Sequence, residues 1–295
     1  MSNFHKPVLL KEVLAYLDVQ RGKKYIDATL GGGGHARKIL ERGGKVLGVD
    51  VDEDAITYIK NQKSRIKNFE NLKLTQGNFK DIDTIAHLNS FDKVSGIIFD
   101  LGISSFQIDS PDRGFSYQKE GPLDMRMDKN LSVKAADLVN ILTKGELNEL
   151  FSKLGEERSA RVFSERIISA RRIRKIETTE DLARAVGGKN YKASAFERAR
   201  LLKKVFQALR IAVNDELNSL REALPKAMKL LDRDGRLIAI SFHSLEDRIV
   251  KNTFNEYKRE GLGTVLTKKP ITPSREEVSE NRRSKSAKMR VFKKI

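Results

Sequence analysis

The stretch of this chain richest in reactive and ligand-binding groups is Asp27-Ala28-Thr29-Leu30-Gly31-Gly32-Gly33-Gly34-His35. The apolar pair Tyr25-Ile26 leads into it and Ala36-Arg37-Lys38-Ile39-Leu40 follows, so the four glycines fall where a strand turns into a helix. Such a turn lets a ligand approach the backbone, and the helix N-terminus offers unpaired N–H groups and a positive dipole end. Fifteen residues past His35, Asp50 closes the apolar run Val46-Leu47-Gly48-Val49. An acid at the end of the second strand of a βαβ unit is suited to ribose hydroxyls. The stretch therefore reads as a nucleoside-cofactor pocket, and two cofactors satisfy it. Gly31-x-Gly33-x-x-Ala36 matches the dinucleotide fingerprint expected for NAD. S-adenosyl-L-methionine fits as well. Asp27 stands where an acid can hold the methionine amine, and Asn78-Phe79 and Asp100, ending the third and fourth strands, can frame an adenine and a reacting methyl group. The residues favour adenosylmethionine and leave NAD open.

Three further constellations carry polar chemistry. Asp100-Leu101-Gly102-Ile103-Ser104-Ser105-Phe106-Gln107 begins at the carboxyl end of a central strand, where open α/β sheets place ligands; Asp100 can accept from an amino group and Gln107 can both donate and accept. Gly121-Pro122-Leu123-Asp124-Met125-Arg126-Met127-Asp128 alternates charges with methionines, which suits either substrate contact or a local Asp–Arg pair that pins a loop. Ser241-Phe242-His243-Ser244-Leu245-Glu246-Asp247-Arg248 follows the last central strand. There His243 is a candidate base or substrate contact, Glu246 to Arg248 can simply begin a helix, and no G-x-S-x-G elbow supports hydrolase chemistry.

The elements that position these groups alternate. Apolar spacing predicts a helix over 7–17 opened by Pro7, strands near 25–26, 46–50, 72–75 and 94–99, and a helix over 52–67. This pattern predicts a parallel, doubly wound α/β sheet. The next convincing strand, 236–242, comes more than 130 residues after Asp100, whereas a crossover needs about a dozen. A mainly helical domain is therefore inserted, placed at 111–210 between sheet segments 1–110 and 211–295. Within it, helical periodicity runs from 133 to 176 and over 178–186, opened by Thr178 or Thr179. Gly187-Gly188-Lys189-Asn190 forms a break, and one long helix spans 196–220. Pro225 is expected to open or kink the helix after that. Residues 264–267 and 288–292 form a hairpin joined by a polar loop.

The net charge of +17 is concentrated: residues 151–210 carry a net +9 and residues 281–295 a net +7. Localised basic surface on an otherwise balanced body is the footprint of polyanion binding, and Asn281-Arg282-Arg283-Ser284-Lys285 suits phosphate contacts. With no cysteine there is neither disulfide nor thiolate chemistry, and four scattered histidines make a metal site unexpected. No apolar run reaches the ~18 residues of a membrane span and no signal-peptide core is present, so a cytoplasmic protein is expected.

Taken together, the motifs resemble those of the bacterial 16S ribosomal RNA (cytosine-N4) methyltransferase family, RsmH or MraW. The matching stretches are His5-x-Pro7-Val8-Leu9-Leu10, Asp27 to His35, Asp100 to Gln107, Arg113-Gly114-Phe115-Ser116, Gly121 to Asp128, Gly155-Glu156-Glu157, Phe206-Gln207-Ala208-Leu209-Arg210-Ile211-x-Val213-Asn214, Ser241 to Arg248 and the Arg/Ser-rich tail. Phe106 where proline is common, Ser95 where aspartate is usual and a short segment 261–280 are the departures. The resemblance implies a class I (Rossmann-like) methyltransferase sheet with a helical insert, and methylation of the exocyclic N4 of a cytidine in the decoding region of 16S rRNA. It implies adenosylmethionine contacts at Gly33, Gly34, His35, Asp50, Phe79, Asp100 and Gln107, with the backbone N–H of His35 rather than its ring as the active part. Amino-methyltransferases commonly use an Asp/Asn-Pro-Pro-aromatic element, and here Asp100-Leu101-Gly102-Ile103 stands in that place without prolines. Asp100 and His243 are thus the catalytic candidates. Arg113, Asp124, Arg126, Arg171, Arg172, Arg174, Arg282 and Arg283 are the candidates for contact with 16S rRNA or the small ribosomal subunit. The rival readings are a non-catalytic RNA-binding assembly factor and an NAD-dependent oxidoreductase. No membrane or metal is expected, and nothing in the sequence fixes an oligomeric state.

Overall fold

The computed structural model describes residues 7–188, 191 and 194–295. His5 of the His5-x-Pro7 motif, and Lys189 and Asn190 of the expected break, lie outside them. Two compact units make up the chain, Met1–Ser104 with Leu217–Ile295, and Ser105–Glu216. Sequence periodicity placed the divisions at 110/111 and 210/211.

In chain order the first unit runs α1 (Leu10–Leu17), β1 (Lys24–Asp27), α2 (Gly34–Glu41), β2 (Lys45–Asp50), α3 (Glu53–Asn61), β3 (Leu72–Gln76), α4 (Ile82–Leu88) and β4 (Val94–Asp100). The second unit holds α5 (Ser105–Asp109), α6 (Ala135–Ile141), α7 (Lys144–Lys153), α8 (Ala160–Ile173), α9 (Thr179–Gly187) and α10 (Ala195–Asn214). The chain returns through α11 (Glu216–Leu230) to β5 (Leu231–Ser241), α12 (Ser244–Arg259), β6 (Gly263–Val265), α13 (Arg275–Glu280) and β7 (Lys288–Lys294).

The seven strands form one sheet in the order β3-β2-β1-β4-β5-β7-β6, parallel from β3 to β5, with β7 antiparallel between β5 and β6. This is the class I methyltransferase layout. Alternation along each strand feeds two cores. Ile26, Ile97, Phe99, Leu237, Ala239 and Phe292 face one, whereas Tyr25, Ile98, Ile238, Ile240, Met289 and Val291 face the other. Strand order reverses between β1 and β4, and ligands of open α/β sheets bind outside the carboxyl ends at such a point. Asp27 and Asp100 end those two strands.

Four local expectations are corrected. Helix α1 begins at Leu10, not Pro7, because Leu9 takes a left-handed conformation (φ 53°) and donates its N–H to Glu277 Oε1 at 2.7 Å. Helix α3 stops at Asn61: Ile56 and Ile59 are buried, but the next position on that face is Lys63, and the chain tightens into a 3₁₀ turn over Lys63–Arg65 before Ile66 is buried. The helix expected over 196–220 is two helices, divided at Asp215 (φ 48°), and Pro225 lies inside α11 rather than at its start. The link between β6 and β7 is not merely a polar loop, since it contains α13 and a 3₁₀ turn, Arg282–Ser286.

In the second unit the helices open on capping boxes where the sequence carries Thr143…Glu146 and Thr178…Asp181, in each of which hydroxyl and carboxylate satisfy reciprocal N–H groups. Thr178, not Thr179, is the cap of α9.

Candidate functional site

The glycine turn is fastened from three sides within the first unit. Asp50 Oδ2 accepts the Gly31 N–H at 2.7 Å while Oδ1 accepts that of Asp52 at 2.9 Å, so the second-strand acid holds the turn as well as facing outward from β2. Thr29 Oγ1 accepts the Asp100 N–H at 2.6 Å, tying the end of β4 to the start of the turn. Gly33 caps α2 with φ 71°, a value side chains resist, and a Cβ there would stand 2.7 Å from Ile59 Cδ1. A Cβ on Gly34 would stand 2.8 Å from the Pro7 ring, so the chain before α1 lies directly on the turn.

Under this turn three ionisable side chains converge. Asp27 and His35 are buried, at 1% and 4% exposure, and the Asp100 side chain is 11% exposed. His35 Nε2 stands 3.4 Å from Asp100 Oδ2, an ion-pair distance without hydrogen-bond alignment. Among the described residues, Asp27 Oδ2, Asp100 Oδ1 and both ring nitrogens of His35 have no hydrogen-bond partner. Buried polar groups are rarely left so, and the exceptions mark functional positions. Burial pushes the Asp27 carboxyl up to about 6; the His35 charge and the Thr29 and Ala36 N–H groups pull it back, and Asp100 adds to the rise. Burial likewise takes Asp50 to about 6 against the N–H groups of Asp52 and Gly31. For His35 burial opposes the cation, yet the carboxylates of Asp100, Asp27 and Glu277 outweigh it and raise the imidazole above its usual range.

The donor set discriminates between the two candidate cofactors. A dinucleotide places a pyrophosphate at the helix N-terminus, where Asp27 and Asp100 would repel it. Adenosylmethionine instead carries an ammonium and a sulfonium, which two partly unsatisfied carboxylates suit, and Asp50 lies at the second-strand end for a ribose. Phe79, at the start of a 3₁₀ turn after β3, packs edge-to-face on Phe99 with centroids 5.7 Å apart and offers an apolar surface for an adenine. The residues present therefore fit adenosylmethionine. The structure brings Gly33, Gly34, His35, Asp50 and Asp100 together around one turn. Gln107, buried in α5, belongs to the second unit.

Several other candidates have internal tasks. His243 is the N-cap of α12: its Nδ1 accepts the Glu246 N–H at 3.4 Å, its Nε2 is 3.1 Å from Glu246 Oε1, and Glu246 Oε2 accepts the N–H groups of Phe242 and His243. In the second unit Arg126 makes a bidentate pair with Asp124, 2.8 Å on both arms, and Nη1 donates to the carbonyls of Lys129 and Leu131. Burial works against the Asp124 charge, but Arg126 holds its carboxyl below the usual range. Arg113 donates to the carbonyls of Arg126 and Met127. Asn214 brackets the same loop, accepting from Met127 N–H and donating to the Met125 carbonyl. Arg171 donates to the carbonyls of Val139 and Leu142, closing the end of α6. Arg172 and Arg174 are exposed at the end of α8, as are Arg282 and Arg283 in the 3₁₀ turn before β7.

Three participants escape the sequence reading: the His35 ring, Thr29 and Glu277. Thr29 had a signal, being the polar residue two positions after the β1 acid. Glu277 had none, for it meets Leu9 across 268 positions.

Residues 2–295 match the MraW methylase family. The chain is 45% identical over 295 residues to "Ribosomal RNA small subunit methyltransferase H" of Persephonella marina, covering 99% of both chains. It is also 45% identical over 294 residues to the protein of that description from Sulfurihydrogenibium azorense, again with 99% of both covered. Among solved structures it is similar to an rRNA methylase from Streptococcus thermophilus, with a TM-score of 0.46 and 12% identity over 98% of each chain.

Proposed function

The chain belongs to the MraW methylase family, and from that premise we propose that this S-adenosylmethionine-dependent enzyme of small-subunit ribosomal RNA methylates the exocyclic N4 of a cytidine in the decoding region of 16S rRNA. The observation that carries the reading is the pair of acids, Asp27 and Asp100, ending β1 and β4 with unsatisfied buried oxygens beside the glycine turn.

Gly33, Gly34 and the His35 N–H would take the carboxylate end of the cofactor, Asp27 its ammonium, Asp50 the ribose and Phe79 the adenine. Bound there, adenosylmethionine supplies a methyl carbon activated by a sulfonium, and the transfer exchanges a C–S bond for a C–N bond as the bonding pair leaves with sulfur. The residues of the chain supply alignment and a proton acceptor. A cytosine amine is a poor nucleophile because its lone pair is delocalised into the ring. Asp100 Oδ1 accepts one N–H of that amine, sharpens the nitrogen as charge develops, and takes the proton it sheds. His243, whose Nδ1 accepts the Glu246 N–H while its Nε2 stands 3.1 Å from Glu246 Oε1 without hydrogen-bond alignment, is assigned to the α12 cap. The target base leaves its stack to reach Asp100, whose side chain is 11% exposed. Arg172, Arg174, Arg282 and Arg283 are the phosphate contacts, with Arg113, Asp124, Arg126 and Arg171 holding the second unit in shape.

The test is calorimetry of adenosylmethionine with wild type, Asp50→Ala and Asp100→Ala, alongside radiolabelled methyl transfer to 30S particles and mass spectrometry of the product nucleoside. Affinity should fall at least about tenfold in each variant, as expected for a lost charge-assisted hydrogen bond. Unchanged affinity in both removes the pocket assignment. Tight cofactor binding without transfer favours an RNA-binding assembly factor.

A further inference from the structure

The His35 side chain is more deeply buried than a backbone-only role at the turn requires. It lies in the first turn of α2, with Nε2 3.4 Å from Asp100 Oδ2 and the Asp27 carboxylate also acting on its charge. Glu277 of α13 is the third charge that faces it. Burying two carboxylates and an imidazole costs more than an apolar filling of the same volume. The arrangement also leaves Asp100 asymmetric: Oδ2 has the imidazole, whereas Oδ1 has no partner among the described residues.

We propose that the His35 imidazole is a positioning residue for methyl transfer: beside Asp100, it fixes the Asp100 carboxylate through Oδ2 and leaves Oδ1 aimed at the acceptor's amino group. This deepens the function given above and rests on it. A carboxylate on one freely rotating bond would otherwise spread its acceptor lone pairs over several directions. A cationic ring on one oxygen selects one rotamer before the amine arrives, which is pre-organisation of the kind that lowers barriers without new contacts to the substrate. The same ring weakens the repulsion between two neighbouring carboxylates, which suits a cationic cofactor.

The dependence of His35 on Asp100 is the property to test, with single-turnover transfer, cofactor titration and NMR of the ligand-free protein. His35→Ala should slow transfer about 30- to 100-fold, up to the lower end of what an aligned proton acceptor itself contributes, while adenosylhomocysteine affinity changes only about threefold. His35→Gln, whose amide N–H can still reach Oδ2, should recover about tenfold of that loss. In an Asp100→Asn background, His35→Ala should cost nothing further, since its target is gone. In wild-type protein without ligand, the ¹⁵N shifts of the His35 ring should be those of the doubly protonated cation at neutral pH, and should become neutral in Asp100→Asn. The proposal is overturned if His35→Ala costs as much in the Asp100→Asn background as alone, or if the ring is neutral in wild type. The NMR arm decides the matter even if His35→Ala does not fold. Transfer that survives Asp100→Asn at the wild-type rate brings down the function assigned to Asp100 and this inference with it. An additive loss brings down this inference alone.

Discussion

Asp124 and Arg126 in the inserted unit, and Asp27, His35 and Asp100 in the sheet unit, are all charged groups withdrawn from water, yet their bonding states are opposite. Arg126 spreads its guanidinium over both oxygens of Asp124 and the carbonyls of Lys129 and Leu131. The sheet cluster keeps oxygens and ring nitrogens without hydrogen bonds among the described residues. A saturated buried pair holds a loop; an unsaturated one holds capacity for a ligand. The contrast separates scaffold from site in a chain where both carry conspicuous motifs.

It can be broken most forcefully at Arg126. Arg126→Ala leaves the half-buried Asp124 without its bidentate partner and should destabilise the chain by about 3 kcal/mol, at the low end for a broken buried pair because both side chains keep some exposure. Urea unfolding measures this, and adenosylmethionine affinity of the folded fraction should stay within twofold. A stable variant that loses cofactor instead would place the loop in the pocket.

The opposite sign is expected at Asp27. Its carboxyl binds a proton more tightly folded, near pH 6, than unfolded, near 3.8, so the folded state loses stability as pH rises through that window and bears the full cost above it. Asp27→Asn removes the cost. The variant should be more stable than wild type at pH 7 by up to about 3 kcal/mol, at roughly 1.4 kcal/mol per unit, and should match it at pH 4. Its cofactor affinity should fall. Equal stability of variant and wild type at both pH values would mean that the buried acid is satisfied after all.

The smallest effect separates three arginines at the end of α8. Arg172→Ala and Arg174→Ala should each lower the slope of log K for 30S binding against log salt by about 1, a change of a few-fold at physiological salt. Arg171→Ala, whose guanidinium closes α6, should leave the slope alone and cost about 1 kcal/mol of stability. Identical behaviour of all three would erase the distinction between bonded and exposed arginines.

The sheet was legible because each of its elements has a local cause. Tyr25-Ile26, Val46 to Val49 and Val94 to Phe99 are apolar runs bounded by polar residues, and four successive glycines leave little alternative to a strand–turn–helix. Asp50 and Asp100 were legible because strand ends are where such folds bind ligands. What failed depends on partners distant in sequence. Leu9 is an ordinary helix residue until Glu277 takes its N–H. Residues 196–220 read as one helix because a single left-handed Asp215 leaves no mark on periodicity. The ring of His35 leaves no mark of its own in the sequence, because the glycine motif accounts for its backbone. Arg171 and Arg172 have the same side chain, and only the fold separates the one that caps α6 from the one that meets solvent.

Strand β7 lies between β5 and β6, both of which precede it in the chain, and Glu277, which holds Leu9 over the turn, is made only shortly before it. Synthesis from the N-terminus therefore delivers the glycine turn early and its cover late. Until Glu277 is made the segment lying on Gly34 lacks its Leu9 bond, and until Lys288–Lys294 follows β5 presents an unpaired edge. In order of synthesis, the edge of the sheet and the cover of the glycine turn are thus completed long after the turn itself.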